Sequence, residues 1–89
     1  MADALADYIL KLSEAAANTH LSADRPLYEK YLADAAVLLA LIVSGAEPGQ
    51  IDDAVRRHER LWGHTWLQDE VFKKPADAFK IFKGQLRAT

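Results

Sequence analysis

The segment from Leu27 to Val43 restricts the possible fold more than any other part of the chain. It reads LYEKYLADAAVLLALIV and ends in nine consecutive apolar residues, Ala35 to Val43. Pro26 comes just before it and Ser44-Gly45 just after it, a pattern typical of a helix that begins at proline and ends at glycine. Because the second half of this helix is apolar on every side, other helices or a second copy of the chain must cover it. We therefore expect this helix to be central.

Three other segments have the periodicity of amphipathic helices. In the first of them, Leu5, Ile9 and Leu12 recur at intervals of four and three residues. Residues 63–74 have no such period but contain Trp66 and Phe72, so we expect an irregular segment held to the core by aromatic side chains. The predicted fold is an all-α, small four-helix domain that comprises residues 1–89, with helix 2 central. The predicted helices span about 3–17, 26–44, 48–62 and 75–87.

The composition restricts the environment of the protein. The chain has no cysteine, which excludes disulfide bonds and thiolate chemistry. Its first residues, MADALADYIL, carry acidic side chains where a signal peptide would carry basic ones. The apolar run of nine residues is shorter than the ~20 residues needed to span a bilayer. We expect a cytoplasmic protein that does not bind membranes.

The outer side of helix 2 changes character along its length. Lys30 and Asp34 mark a polar side in the first half, whereas Val37 and Leu41 continue that side with apolar residues in the second. An apolar second face needs a cover, and so short a chain has few elements to provide one. We therefore expect a non-enzymatic protein–protein interaction or regulatory module that forms a homodimer or binds another protein. The candidate interface residues are Ala33, Val37, Ala40 and Leu41.

The histidine in helix 3 is the most distinctive polar residue. His58 lies between Val55 and Trp62 on the apolar face of that helix. We favour a histidine that is simply hydrogen-bonded to another element, because buried polar groups generally have partners. The alternative is a pH-sensitive or ligand-binding group beside tryptophan. The candidate ligand-pocket residues are His58, Trp62, His64 and Trp66.

The sequence contains no convincing catalytic or metal-binding pattern. His58-Glu59 begins like the HExxH zinc motif, but Trp62 stands where the second histidine is required. The neighbouring carboxylates of Asp52 and Asp53 point about 100° apart on a helix, so they cannot share a substrate proton. We therefore expect no enzymatic activity, no metal and no cofactor.

An uneven charge distribution supports a second hypothesis. Residues 1–53 carry nine acidic and three basic side chains, whereas residues 54–89 carry four acidic and eight basic ones. The alternative function is therefore a small nucleic-acid-binding regulator that uses the basic C-terminal half. We do not favour it, because Asp52 and Asp53 begin the helix that would read the bases. The candidate anion-binding residues are Arg56, Arg60, Lys73, Lys74, Lys80, Lys83 and Arg87.

Overall fold

The computed structural model describes residues 2–19, 25–63 and 70–88, and these residues form four α-helices and one short 3-10 helix without any strand. The all-α, four-helix prediction is confirmed, and each helix end lies within two residues of its predicted position. The segment between the third and fourth helices is described only in part, because residues 64–69, with His64 and Trp66, lie outside the described ranges. The helices are α1 (Ala2–Asn18), α2 (Arg25–Val43), α3 (Pro48–Trp62) and α4 (Lys73–Ala88), and the 3-10 helix is Glu70–Phe72.

Proline and glycine determine several of the helix ends. α2 ends where Gly45 adopts a φ of +76°, a conformation that favours glycine. The amide of Ala46 then donates to the carbonyl of Leu41 at 3.0 Å. α3 follows with Pro48 as its first residue, where the missing N–H breaks no helical hydrogen bond. For the same reason α4 tolerates Pro75 in its first turn and begins two residues earlier than predicted.

The four helices form a bundle with one open edge. α1 packs along both α2 and α4, and α2 packs along both α1 and α3. The predicted inner position of α2 is therefore shared with α1. The backbones of α3 and α4 do not pack closely, and side chains make the contacts between these two helices.

The core is rich in aromatic side chains. In α1 the fully buried side chains include Tyr8, while Ile9 is only partly buried, so the core-facing line is rotated from the predicted one. In α2, Leu38 is buried, but Val37 is 51% exposed. The apolar second half of α2 is therefore covered on one side only. The largest fully buried side chains are those of Tyr8, Tyr28, Tyr31, Phe72, Phe79 and Phe82.

Candidate functional site

A chain of hydrogen bonds joins three helices through His58. This side chain is fully buried on α3. Its Nδ1 lies 2.8 Å from Oδ2 of Asp34 on α2, and its Nε2 lies 2.5 Å from the hydroxyl of Tyr8 on α1. The same hydroxyl accepts a hydrogen bond of 3.1 Å from Nε1 of Trp62. We call Tyr8, Asp34, His58 and Trp62 the His58 network.

The contacts determine which ring nitrogen of His58 carries the proton. A carboxylate only accepts hydrogen bonds, so the nitrogen that faces Asp34 must be the donor. In the neutral ring the other nitrogen is then an acceptor, and the Tyr8 hydroxyl donates a hydrogen bond to it. The oxygen of Tyr8 remains free to accept from Trp62. Every polar atom named in this chain therefore has a partner of the right kind.

Burial keeps the network neutral at its centre. Loss of solvent lowers the pKa of His58 below its ordinary value of 6.5, although the hydrogen bond that His58 donates to Asp34 and the negative charges of Asp34 and Glu59 oppose the shift. Burial likewise raises the pKa of the Tyr8 hydroxyl far above its ordinary range. Asp34 lies at the edge of the network, where its second oxygen is 3.9 Å from Nε of Arg57. Near neutral pH the network therefore consists of a neutral imidazole and an undissociated phenol.

The order carboxylate, imidazole and hydroxyl is also that of a catalytic triad, in which the hydroxyl is the nucleophile. Here the hydroxyl belongs to Tyr8, whose side chain is fully buried and whose oxygen already has two partners. A substrate cannot reach this atom without unfolding of the core. What the arrangement does is tie α1, α2 and α3 together.

The structure brings together two of the four candidate ligand-pocket residues. His58 and Trp62 are in ring contact, with centroids 6.3 Å apart. Of these two, Trp62 is half-buried and His58 is fully buried. His64 and Trp66 lie outside the described residues.

Two residues of the network were missed from the sequence. Tyr8 lies three residues after Leu5 and four before Leu12, which is the spacing of one helix face and was a usable signal. Asp34 was expected on the polar side of helix 2, but its half-buried carboxylate contacts His58 instead.

A groove follows the open edge of the bundle between α3 and α4. Its first hollow, of about 750 Å³, has apolar walls that include Val55 of α3 and Leu86 of α4. Its second hollow, of about 710 Å³, is lined by Trp62 and Phe79 among others. An ion pair of 3.0 Å between Lys83 and Glu59 crosses from one helix to the other, and both residues line both hollows. We call these two hollows together the α3–α4 groove.

Five of the seven candidate anion-binding residues line the α3–α4 groove. Arg56 is paired with Asp52 at 3.1 Å, and Lys83 is paired with Glu59. Arg60 is exposed but lines neither hollow of the groove, and Lys74 lines a small hollow beside α1. The candidates that line the α3–α4 groove without an ion pair among the described residues are Lys73, Lys80 and Arg87.

The four candidate interface residues differ in exposure. Ala33, Val37 and Ala40 are exposed on α2, whereas Leu41 is half-buried and packs against the core. Val43, 72% exposed, extends the exposed strip by one turn. Ala36 is exposed on the same side.

Within the described ranges, no group of three or more histidine, cysteine, aspartate or glutamate side chains could hold a metal ion. None of the helices over these residues is long and apolar enough to cross a membrane. Comparison of the chain with protein-family models, with curated proteins and with solved structures gave no match.

Proposed function

We propose that this chain is a non-enzymatic protein-interaction module that works as a homodimer through the outer face of α2. The observation that carries the proposal is the absence of exposed charge on the second half of that face. The exposed side chains from Ala33 to Val43 are uncharged, whereas those described on α1, α3 and α4 include several acidic or basic residues each. An exposed uncharged strip on an otherwise charged surface is typical of a contact with another protein.

A second copy of the same face is the best partner for this strip. A two-fold interface brings the same surface patch of both copies together, so a face without charge meets no unpaired charge. The alanines at positions 33, 36 and 40 have short side chains and allow two helices to approach closely. In an antiparallel pair, Val37 would lie near the two-fold axis, with Val43 toward each end.

The expected dimer is weak. The strip extends over only about three helical turns, which is less than the ~800 Å² per partner of a standard interface. We therefore expect dissociation in the micromolar to millimolar range. Light scattering or sedimentation must follow the mass of the particle from about 10 μM to about 1 mM to detect it.

Val37→Glu is the decisive variant. Val37 is 51% exposed, so glutamate can be placed there without unfolding the chain. In the dimer, two such carboxylates would face each other in an apolar contact and weaken association by at least about tenfold. Ile81→Glu is the matched control, because Ile81 is 60% exposed on α4 and far from the strip in sequence.

A chain that stays monomeric up to about 1 mM would exclude the dimer. A dimer that Val37→Glu and Ile81→Glu weaken equally would show that α2 is not the interface. Circular dichroism of both variants must show unchanged helix content, so that any loss of association is not caused by unfolding.

A further inference from the structure

The α3–α4 groove combines an apolar floor with a basic rim. Ile51 and Val55 of α3 and Leu86 of α4 line the first hollow, and Trp62, Ala76 and Phe79 line the second. The two hollows share Glu59 and Lys83, and Ile42, Gly45 and Ala46 from the end of α2 and the turn after it also line the first. Such a groove, with room between two helices of a bundle, is the usual receptor for an amphipathic helix of another protein.

The basic rim has a regular spacing. Lys73, Lys80 and Arg87 are seven residues apart on α4, which places successive cations about 10.5 Å apart along one edge. All three are exposed, and none of them forms an ion pair with a carboxylate within the described parts of the chain.

The acidic side chains of the groove are mostly neutralised already. Asp52 is paired with Arg56, and Glu59 is paired with Lys83. Asp77 is the remaining acidic residue among those that line the two hollows. The groove therefore presents more unpaired positive charge than negative charge.

We propose that the α3–α4 groove binds an acidic amphipathic helix of a partner protein. Apolar side chains on one face of that helix enter the two hollows, and carboxylates at a spacing of about seven residues pair with Lys73, Lys80 and Arg87. The distance from Lys73 to Arg87 is about 21 Å along α4, so the occupant has about four turns. This second surface is distinct from the α2 strip, and a dimer would carry two such grooves.

The floor favours a peptide helix over a nucleic acid. A phosphate backbone pairs with cations but leaves an apolar floor unfilled, and interfaces with nucleic acids are markedly polar. An acidic amphipathic helix can cover the apolar floor with one face and pair with the basic rim through its carboxylates. The repulsion from Asp77 would also oppose a uniformly negative backbone more than it opposes a helix with separate carboxylates.

The test uses three synthetic peptides of about 18 residues that contain no tryptophan. The first is an amphipathic helix with leucine on one face and glutamate beside it, the second is a scrambled sequence of the same composition, and the third has lysine in place of glutamate. Binding is followed by fluorescence anisotropy of a dye on the peptide. We expect the first peptide to bind at least about tenfold more tightly than the other two.

Two charge reversals on α4 locate the site. Lys80→Glu is expected to weaken binding of the acidic amphipathic peptide by about tenfold or more. Lys74→Glu is the matched control, because it makes the same charge change on the same helix but faces the hollow beside α1. Its effect is expected to stay within about twofold, since distant exposed charges are screened by salt.

Ala76→Arg separates docking from simple charge attraction. Ala76 lines the second hollow, so arginine there fills the hollow while it adds a positive charge. Docking predicts weaker binding of the acidic peptide, whereas charge attraction alone predicts tighter binding. The melting temperature of each variant, measured without peptide, checks that the bundle is intact.

Several results would overturn the proposal. Equal binding of the scrambled and the amphipathic peptide would overturn it, and so would a Lys74→Glu variant that weakens binding as much as Lys80→Glu does. Binding of a mixed DNA or RNA pool that Lys80→Glu abolishes, with no binding of the acidic peptide, would assign the groove to a nucleic acid instead. Self-association that Lys80→Glu abolishes and Val37→Glu does not would assign the groove to a second copy.

Discussion

Tyr8→Phe removes a single oxygen atom from the centre of the His58 network. The ring of Tyr8 packs against Phe79 with centroids 4.7 Å apart, and phenylalanine can keep that contact. The change in stability therefore reports the hydrogen bonds of the hydroxyl rather than the packing of the ring.

The size of the effect follows from what the two partners lose. His58 is fully buried, so its Nε2 has no access to water once the hydroxyl is gone. An unpaired buried polar atom costs about 1–3 kcal/mol. Trp62 is half-buried and its N–H can reach water more easily, so it adds less. We expect a loss of about 2 kcal/mol, which lowers the melting temperature of a domain of this size by about 10 °C.

The assay is urea unfolding followed by circular dichroism, arranged as a double-mutant cycle with His58→Leu. Each single change leaves the other partner without its hydrogen bond, whereas the double variant removes both polar groups together. The double variant is therefore expected to lose at least about 1 kcal/mol less than the sum of the two single losses. Circular dichroism is the better signal here, because Trp62 contacts both residues and its fluorescence would respond directly.

Two results would refute this reasoning. A loss below about 0.5 kcal/mol for Tyr8→Phe would mean that His58 finds another partner or water. Losses that add within about 0.5 kcal/mol would mean that the two side chains are not energetically coupled. A changed slope of the unfolding free energy against urea concentration would show that a variant alters the compactness of the folded or the unfolded chain. The stability losses of the variants would then be compared by thermal unfolding.

Three further substitutions test other parts of the structure. Gly84→Ala is expected to stabilise the chain by about 1 kcal/mol in thermal unfolding, because Gly84 lies inside α4 with open space at its Cβ position. Gly45→Ala is expected to destabilise it by about 1 kcal/mol in the same assay, because the φ of +76° disfavours any residue with a Cβ. Leu41→Glu is expected to cost about 2 kcal/mol or more in urea unfolding, since Leu41 packs against the core, whereas Val37→Glu should stay within about 0.5 kcal/mol.

The helices were predictable from the sequence because their signals are local. Pro48 and Gly45 mark helix ends through their own backbone preferences, and Leu5 and Leu12 define a face through spacing alone. The rotation of that face onto Tyr8 was not predicted, since the choice between neighbouring positions depends on which side chains the other helices present.

The His58 network and the α3–α4 groove depend on contacts between distant parts of the chain. Asp34 and Tyr8 lie 24 and 50 residues before His58, so no spacing rule connects them. The groove exists because large side chains, Trp62 and Phe79, join α3 to α4 where the backbones do not pack closely. Periodicity identifies an apolar face on each helix but does not show how far apart two such faces will lie.

His58 also gives the stability of the fold a pH dependence with a definite sign. Burial lowers the pKa of His58 in the folded chain, so the unfolded chain binds a proton there more readily. The contribution of His58 to the free energy of unfolding is therefore largest above about pH 6.5, the ordinary pKa of histidine. It is lost as the pH falls from there toward the lowered pKa of His58 in the folded chain. The loss cannot exceed about 1.4 kcal/mol per pH unit for one histidine.

His58→Gln isolates this effect, because glutamine forms hydrogen bonds but does not titrate, while His20 and His64 are present in both proteins. Between about pH 7 and pH 5.5, the wild type is expected to lose up to about 1 kcal/mol more unfolding free energy than the variant. If the wild type instead gains stability relative to His58→Gln on acidification, His58 must accept a proton in the fold and form an ion pair with Asp34. In that case attraction to the carboxylate outweighs burial, and the network is held together by charge rather than by neutral hydrogen bonds.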